Sequence, residues 1–100
     1  MATPPSDHHW QLFEEFYLHC PPPLHPTQFL ERWDVSYTEL AKLAGVSRST
    51  IEHWFTHSAT HREPSLMHQR RLAAIDRLFR HADHLSPDLI RLWCDPDSLG

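Results

Sequence analysis

Ten histidines, nine lysine and arginine residues and two cysteines are the side chains with most chemistry to offer in this 100-residue chain. His53, His57 and His61 recur every four residues, and imidazoles at that spacing on one continuous helix can hold zinc. The helix that carries His53 is expected to end near Thr56, however, so the three need not share a face and no metal site is assigned. Cys20 and Cys94 form neither a metal-ligand pattern nor a disulfide framework. The sequence contains no Gly-x-Ser-x-Gly elbow, phosphate-binding loop or His-Glu-x-x-His pair, and neither cysteine stands in a catalytic context. These features argue against an enzyme and for no cofactor. Charge is the more informative chemistry. The formal total of −4 divides into −4 over residues 1–34, +3 over 47–81 and −3 over 82–100. Five histidines (His53, His57, His61, His68 and His81) fall in the basic centre, and imidazole is the side chain type that gains positive charge on mild acidification. A basic centre between acidic ends is compatible with a polyanionic partner.

The elements that must position these groups are helical. Hydrophobic residues make up 40% of a chain with only two glycines, which suits one modest core and disfavours a turn-rich β protein. Trp10, Phe13, Phe16, Tyr17 and Cys20 recur at steps of three and four, so a first helix follows a cap at Ser6 or Asp7 and stops at Pro21-Pro22-Pro23. Its aromatic stripe is expected in the core; left uncovered, it becomes a surface for a homodimer or another protein. A second helix opens at Pro26-Thr27 and buries Phe29, Leu30 and Trp33. Pro64 suits the first turn of a long helix whose apolar stripe is Leu72, Ile75, Leu78, Phe79 and Ala82, with Arg70, Arg77, Arg80 and His81 opposite. Ser86-Pro87-Asp88 starts a short final helix with Leu89, Leu92 and Trp93. The expected fold is all-α, a single domain of five to six helices, with disordered ends at 1–6 and 95–100.

The most specific segment is Tyr37-Thr-Glu-Leu-Ala-Lys-Leu-Ala-Gly-Val-Ser-Arg-Ser-Thr-Ile-Glu-His-Trp-Phe-Thr56. Leu40, Ala41 and Ala44 give a short helix its inner face. Gly45 supplies the left-handed residue a sharp turn needs, Val46 fills the angle, and Ser47 caps a second helix that buries Ile51, Trp54 and Phe55. Ala41 is small where the two helices cross, as a steep helix pair requires.

This segment resembles the helix-turn-helix superfamily through Leu-Ala-Lys-Leu-Ala-Gly-Val-Ser-Arg-Ser-Thr-Ile. Its second half is similar to motifs of phage-type repressors, recombinases and transposases. A fainter resemblance, through His61-Arg-Glu-Pro-Ser-Leu-Met-His-Gln-Arg-Arg-Leu-Ala-Ala-Ile-Asp76, is to small cyanobacterial helix-turn-helix proteins and leans the reading toward bacteria. The resemblance implies that the second helix enters the major groove of double-stranded DNA. Ser47, Arg48, Ser49, Glu52 and His53 would then read bases, with Arg48 suited to guanine and Glu52 to a cytosine amino group. Thr38, Lys42 and Arg62, with Arg70 and Arg71 further on, would meet phosphates, which fix register.

The implied function is a sequence-specific DNA-binding regulator of transcription. Rival readings are a helix-turn-helix used as a protein–protein interaction module, and an accessory DNA-binding factor in recombination or replication. No apolar run approaches the roughly 20 residues of a membrane span, and a reducing cytoplasm is the simpler setting for two unpatterned cysteines.

Overall fold

Each helix begins where a polar side chain supplies the acceptor that the first turn of backbone N–H groups lacks. In the computed structural model, which describes residues 2–95, Ser6 caps α1 (Asp7–His19), Ser36 caps α3 (Tyr37–Ala44) and Ser47 caps α4 (Arg48–Phe55). Ser65 caps α5 (Leu66–Arg80) and Ser86 caps α6 (Pro87–Cys94), with a single 3-10 turn, Ala82–His84, between them. The cap of α2 (Pro26–Arg32) is His25, whose Nδ1 accepts the Thr27 N–H at 3.1 Å. At α3 the exchange is reciprocal: Ser36 Oγ accepts the Glu39 N–H at 3.1 Å and Glu39 Oε1 accepts the Ser36 N–H at 3.0 Å. These bonds, the Ser36 backbone N–H foremost, hold the Glu39 carboxyl below its ordinary pKa.

The described residues are all-α, as the periodicities indicate, and none of their helices is long and apolar enough to cross a membrane. Of the ends expected to be disordered, Met1 and residues 96–100 lie outside the described residues, while 2–5 are exposed and carry no helix. Pro64 does not open the long helix. It is buried two residues before the first turn, and Ser65 takes the capping position.

The core is small and drawn from the middle of the chain. Leu24, Phe29, Leu40, Ala41, Ala44, Ile51, Trp54, Leu72 and Ala73 are buried, where α3 packs on α4 and both α2 and α3 pack on α5. Trp33 meets Phe79 edge-on at 5.2 Å, and Tyr37 stacks on Phe55 at 5.2 Å, closing two margins of this core.

The inner face of α5 is rotated from the stripe that apolar spacing suggests. Leu72, Ala73 and Asp76 are its buried residues, Ile75 and Phe79 are half-buried, and Leu78 and Ala82 are exposed. The reason is Asp76, only 2% exposed. It accepts from Trp33 Nε1 and Arg32 at 2.9 Å each and from Arg80 at 3.1 Å. A buried carboxylate is tolerable only when so supplied with donors. Arg80 therefore sits beside the core margin, bound to Asp76, rather than on a face opposite it.

Two helices stay outside the core. In α1, Trp10, Phe13, Phe16 and Tyr17 are all more than half exposed, and no residue of that helix is buried. The expectation of a buried aromatic helix is thus overturned: among the described residues α1 packs on no other helix. Arg70 reaches it, donating to the Tyr17 carbonyl at 3.1 Å with its guanidinium 4.8 Å from the Tyr17 ring centroid. The helix α6 likewise buries no residue.

Candidate nucleic-acid interface

Two helices of eight residues each are too short to hold together in isolation, so their angle is set by the turn and by what they bury. Gly45 ends α3 at φ 74°, a conformation in which a Cβ is strained. Its N–H and that of Val46 both return to the Ala41 carbonyl, at 2.9 and 3.0 Å. Arg71 from α5 lies over this turn. Its Nε donates to the Leu43 carbonyl at 2.7 Å, and a Cβ on Gly45 would stand 3.0 Å from its guanidinium carbon. Glycine is therefore needed for the backbone, and any Cβ here would also push the Arg71 guanidinium by a few tenths of an ångström. Below the turn, Leu40, Ala41 and Ala44 face Ile51 and Trp54 inside the core.

The opposite face is polar and open. Arg48, Ser49 and Glu52 on α4 are exposed, as are Thr38 and Lys42 on α3, and His53 is half-buried. Arg48 links the two helices: Nη1 donates to Thr38 Oγ1 at 2.8 Å, and Nε lies 3.4 Å from Glu52 Oε1. Three of its five N–H groups are left for another acceptor. Ser47 is occupied by capping; its hydroxyl accepts the Thr50 N–H at 3.1 Å and meets the Thr50 hydroxyl at 3.0 Å.

The chain after α4 folds back on that helix, since the Arg62 N–H donates to the His53 carbonyl at 3.0 Å. This brings Arg62 to the C-terminal end of α4. Of the ten residues the sequence singles out, the structure thus gathers Thr38, Lys42, Ser47, Arg48, Ser49, Glu52, His53 and Arg62 around the α3–α4 pair. Arg70 and Arg71 bond within the chain at its surface rather than standing on the α3–α4 face. Arg70 reaches the C-terminal end of α1 at the Tyr17 carbonyl, and Arg71 the C-terminal end of α3 at the Leu43 carbonyl.

His53, His57 and His61 do not come together, and among the described residues no three His, Cys, Asp or Glu side chains form a metal-holding group. His61 has a different task. Its Nδ1 is 2.9 Å from the Thr56 carbonyl and its Nε2 is 2.6 Å from Glu63 Oε1. Both ring nitrogens face acceptors, so only the imidazolium can donate to both. The Glu63 bond first, and the Thr56 carbonyl with it, raise the His61 pKa above its ordinary 6.5, while His61 lowers that of Glu63 below 4.5. Glu63 Oε2 also lies 3.7 Å from His25 Nε2, joining this loop to the start of α2.

The loop contact is therefore fully formed between about pH 4.5 and 6.5. It weakens as pH rises through the elevated His61 pKa and again as pH falls through the depressed Glu63 pKa. An NMR titration is expected to show His61 losing its proton above pH 6.5, and Glu63→Gln is expected to return the midpoint toward that value. A wild-type midpoint at or below it would contradict the geometry. Spacing alone could not single out His61, because its partner is chosen by a turn at Ser58–His61 that local polar residues close.

Comparison with known proteins finds no matching family model, no similar curated protein and no similar solved structure.

Proposed function

We propose that this protein is a sequence-specific DNA-binding regulator that lays α4 in the major groove of double-stranded DNA. The observation that carries the reading is the α3–Gly45–α4 pair itself. It is locked to the core on one side and presents Arg48, Ser49 and Glu52 from the N-terminal half of α4 on the other. A recognition helix places those same positions against base edges. Thr38 and Glu52 hold the Arg48 guanidinium in place before any base is met, which lessens the side-chain entropy lost on binding. Lys42 and Arg62 flank the helix as phosphate contacts. Transcriptional control, a bacterial source and a cytoplasmic setting belong to the same proposal; two exposed free cysteines suit a reducing compartment.

Titration against random duplex DNA at two salt concentrations tests it. Binding is expected to weaken steeply with salt as counterions are no longer released to advantage. On a sequence selected from that pool, Arg48→Ala is expected to lower affinity by about 10- to 100-fold and to relax the preference at one base pair. Lys42→Ala is expected to weaken all sequences alike and to reduce the salt slope by about one. Absence of binding at low salt would reduce the helix pair to a scaffold and favour a protein-interaction module.

A further inference from the structure

The two helices left outside the core carry complementary surfaces. An open apolar groove of about 540 Å³ runs between α5 and α6, lined by Leu78, Leu85, Leu89, Ile90 and Trp93. Arg77 and His81 also border it, and neither side chain has an ion-pair partner among the described residues. On α1, Trp10, Phe13 and Tyr17 form a continuous stripe, with ring centroids 6.2 and 6.0 Å apart. At 100° per residue, Asp7 and Glu14 fall together on one flank of that stripe, about 40–60° from Trp10. These two carboxylates are also unpaired among the described residues, unlike Glu15, which is 3.3 Å from His19.

We propose that α1 of one copy fills the α5–α6 groove of a second copy, and reciprocally, making the protein a two-fold dimer. Three observations select this occupant. The stripe and the groove match in kind: an apolar face with an acidic flank against an apolar channel bordered by the Arg77 side chain. In its own chain α1 meets Arg70 near its C-terminal end and, among the described residues, packs on no other helix. The Cα radius of gyration is 17.0 Å, against about 13 Å for a compact chain of this length. That excess is expected of a protomer whose outer helices are completed by a partner. Trp10, Phe13 and Tyr17, the three rings of the stripe and each more than half exposed, offer on the order of 300 Å². With an equal area of groove covered at each, two reciprocal contacts would bury about 1,200 Å² in total, the lower end of the range for specific interfaces. The inference stands apart from DNA binding, and neither depends on the other.

Sedimentation equilibrium on the full chain is expected to give twice the 11.8 kDa protomer mass. Phe13→Glu and Leu89→Glu, both at exposed positions, are each expected to restore the protomer mass with the helical circular-dichroism spectrum kept. Glu14→Arg and Arg77→Glu are each expected to weaken dimerisation about tenfold, and the double variant to recover it, because each chain supplies both partners of the swapped pair. In a Cys20→Ser, Cys94→Ser background, chains bearing Trp10→Cys and chains bearing Leu89→Cys are expected to cross-link when mixed. A wild-type chain that stays a protomer overturns the proposal. So does a dimer that survives both glutamate variants, or a Trp10–Leu89 cross-link that forms only within a chain carrying both cysteines.

Discussion

Asp76→Ala is expected to lower the free energy of unfolding by about 3 kcal/mol, with the transition still cooperative. The carboxylate is buried, and its three donors come from two helices and the Trp33 cap between them: Arg32, Trp33 and Arg80. Arg32 and Arg80 are each about half exposed, at 47% and 52%, so water can take over their guanidinium groups. The Trp33 indole N–H is half-buried and loses its acceptor, while the space left by the carboxylate opens beneath α2. Most of the loss therefore comes from the stranded indole donor and the void, not from two broken surface-type ion pairs. Asp76→Asn keeps the volume and one acceptor for Trp33, so its loss is expected to be smaller, about 2 kcal/mol. Urea titration of the two variants, with Trp33→Phe as the partner of a double-mutant cycle, checks the assignment. A transition unchanged in Asp76→Ala would show that the three hydrogen bonds contribute nothing net.

Ile51→Ala is expected to cost about 3 kcal/mol and to move the thermal midpoint down by roughly 12–20 °C. Ile51 is wholly buried, on the inner side of α4, and its removal leaves a cavity among Leu40, Ala44 and Trp54. The core is drawn from residues 24–73 with only the margins of later residues added, and so few buried groups leave little stability to spare. The variant also separates two ways of losing DNA affinity. Arg48→Ala, on the outer side, is expected to leave unfolding within about 0.5 kcal/mol of wild type while weakening binding. Ile51→Ala is expected to weaken binding only at temperatures where part of the population is unfolded. If Ile51→Ala melted within a few degrees of wild type, α4 would be held by something other than this core.

Helix starts were written locally. Ser36, Ser47 and Ser86 stand where a hydroxyl can reach back to a free N–H three residues on, and no distant residue is needed to place such a cap. The turn at Gly45 was equally legible, because a left-handed residue between two short apolar-periodic segments leaves few alternatives to glycine. Those local features fixed an all-α chain, the bounds of the α3–α4 pair and the polar face of α4.

Which surfaces are covered was decided only in three dimensions. Apolar spacing put Leu78 inward and Arg80 outward on α5, but three donors gathered around Asp76 turned that face, and two of them come from residues more than forty positions away. The same holds for Arg70 and Arg71, whose carbonyl partners lie on α1 and α3. Helical periodicity in α1 reports that one side is apolar and nothing about what lies against it. Burial depends on the relative placement of whole helices, and that is set by contacts between residues distant in sequence, which no local pattern encodes.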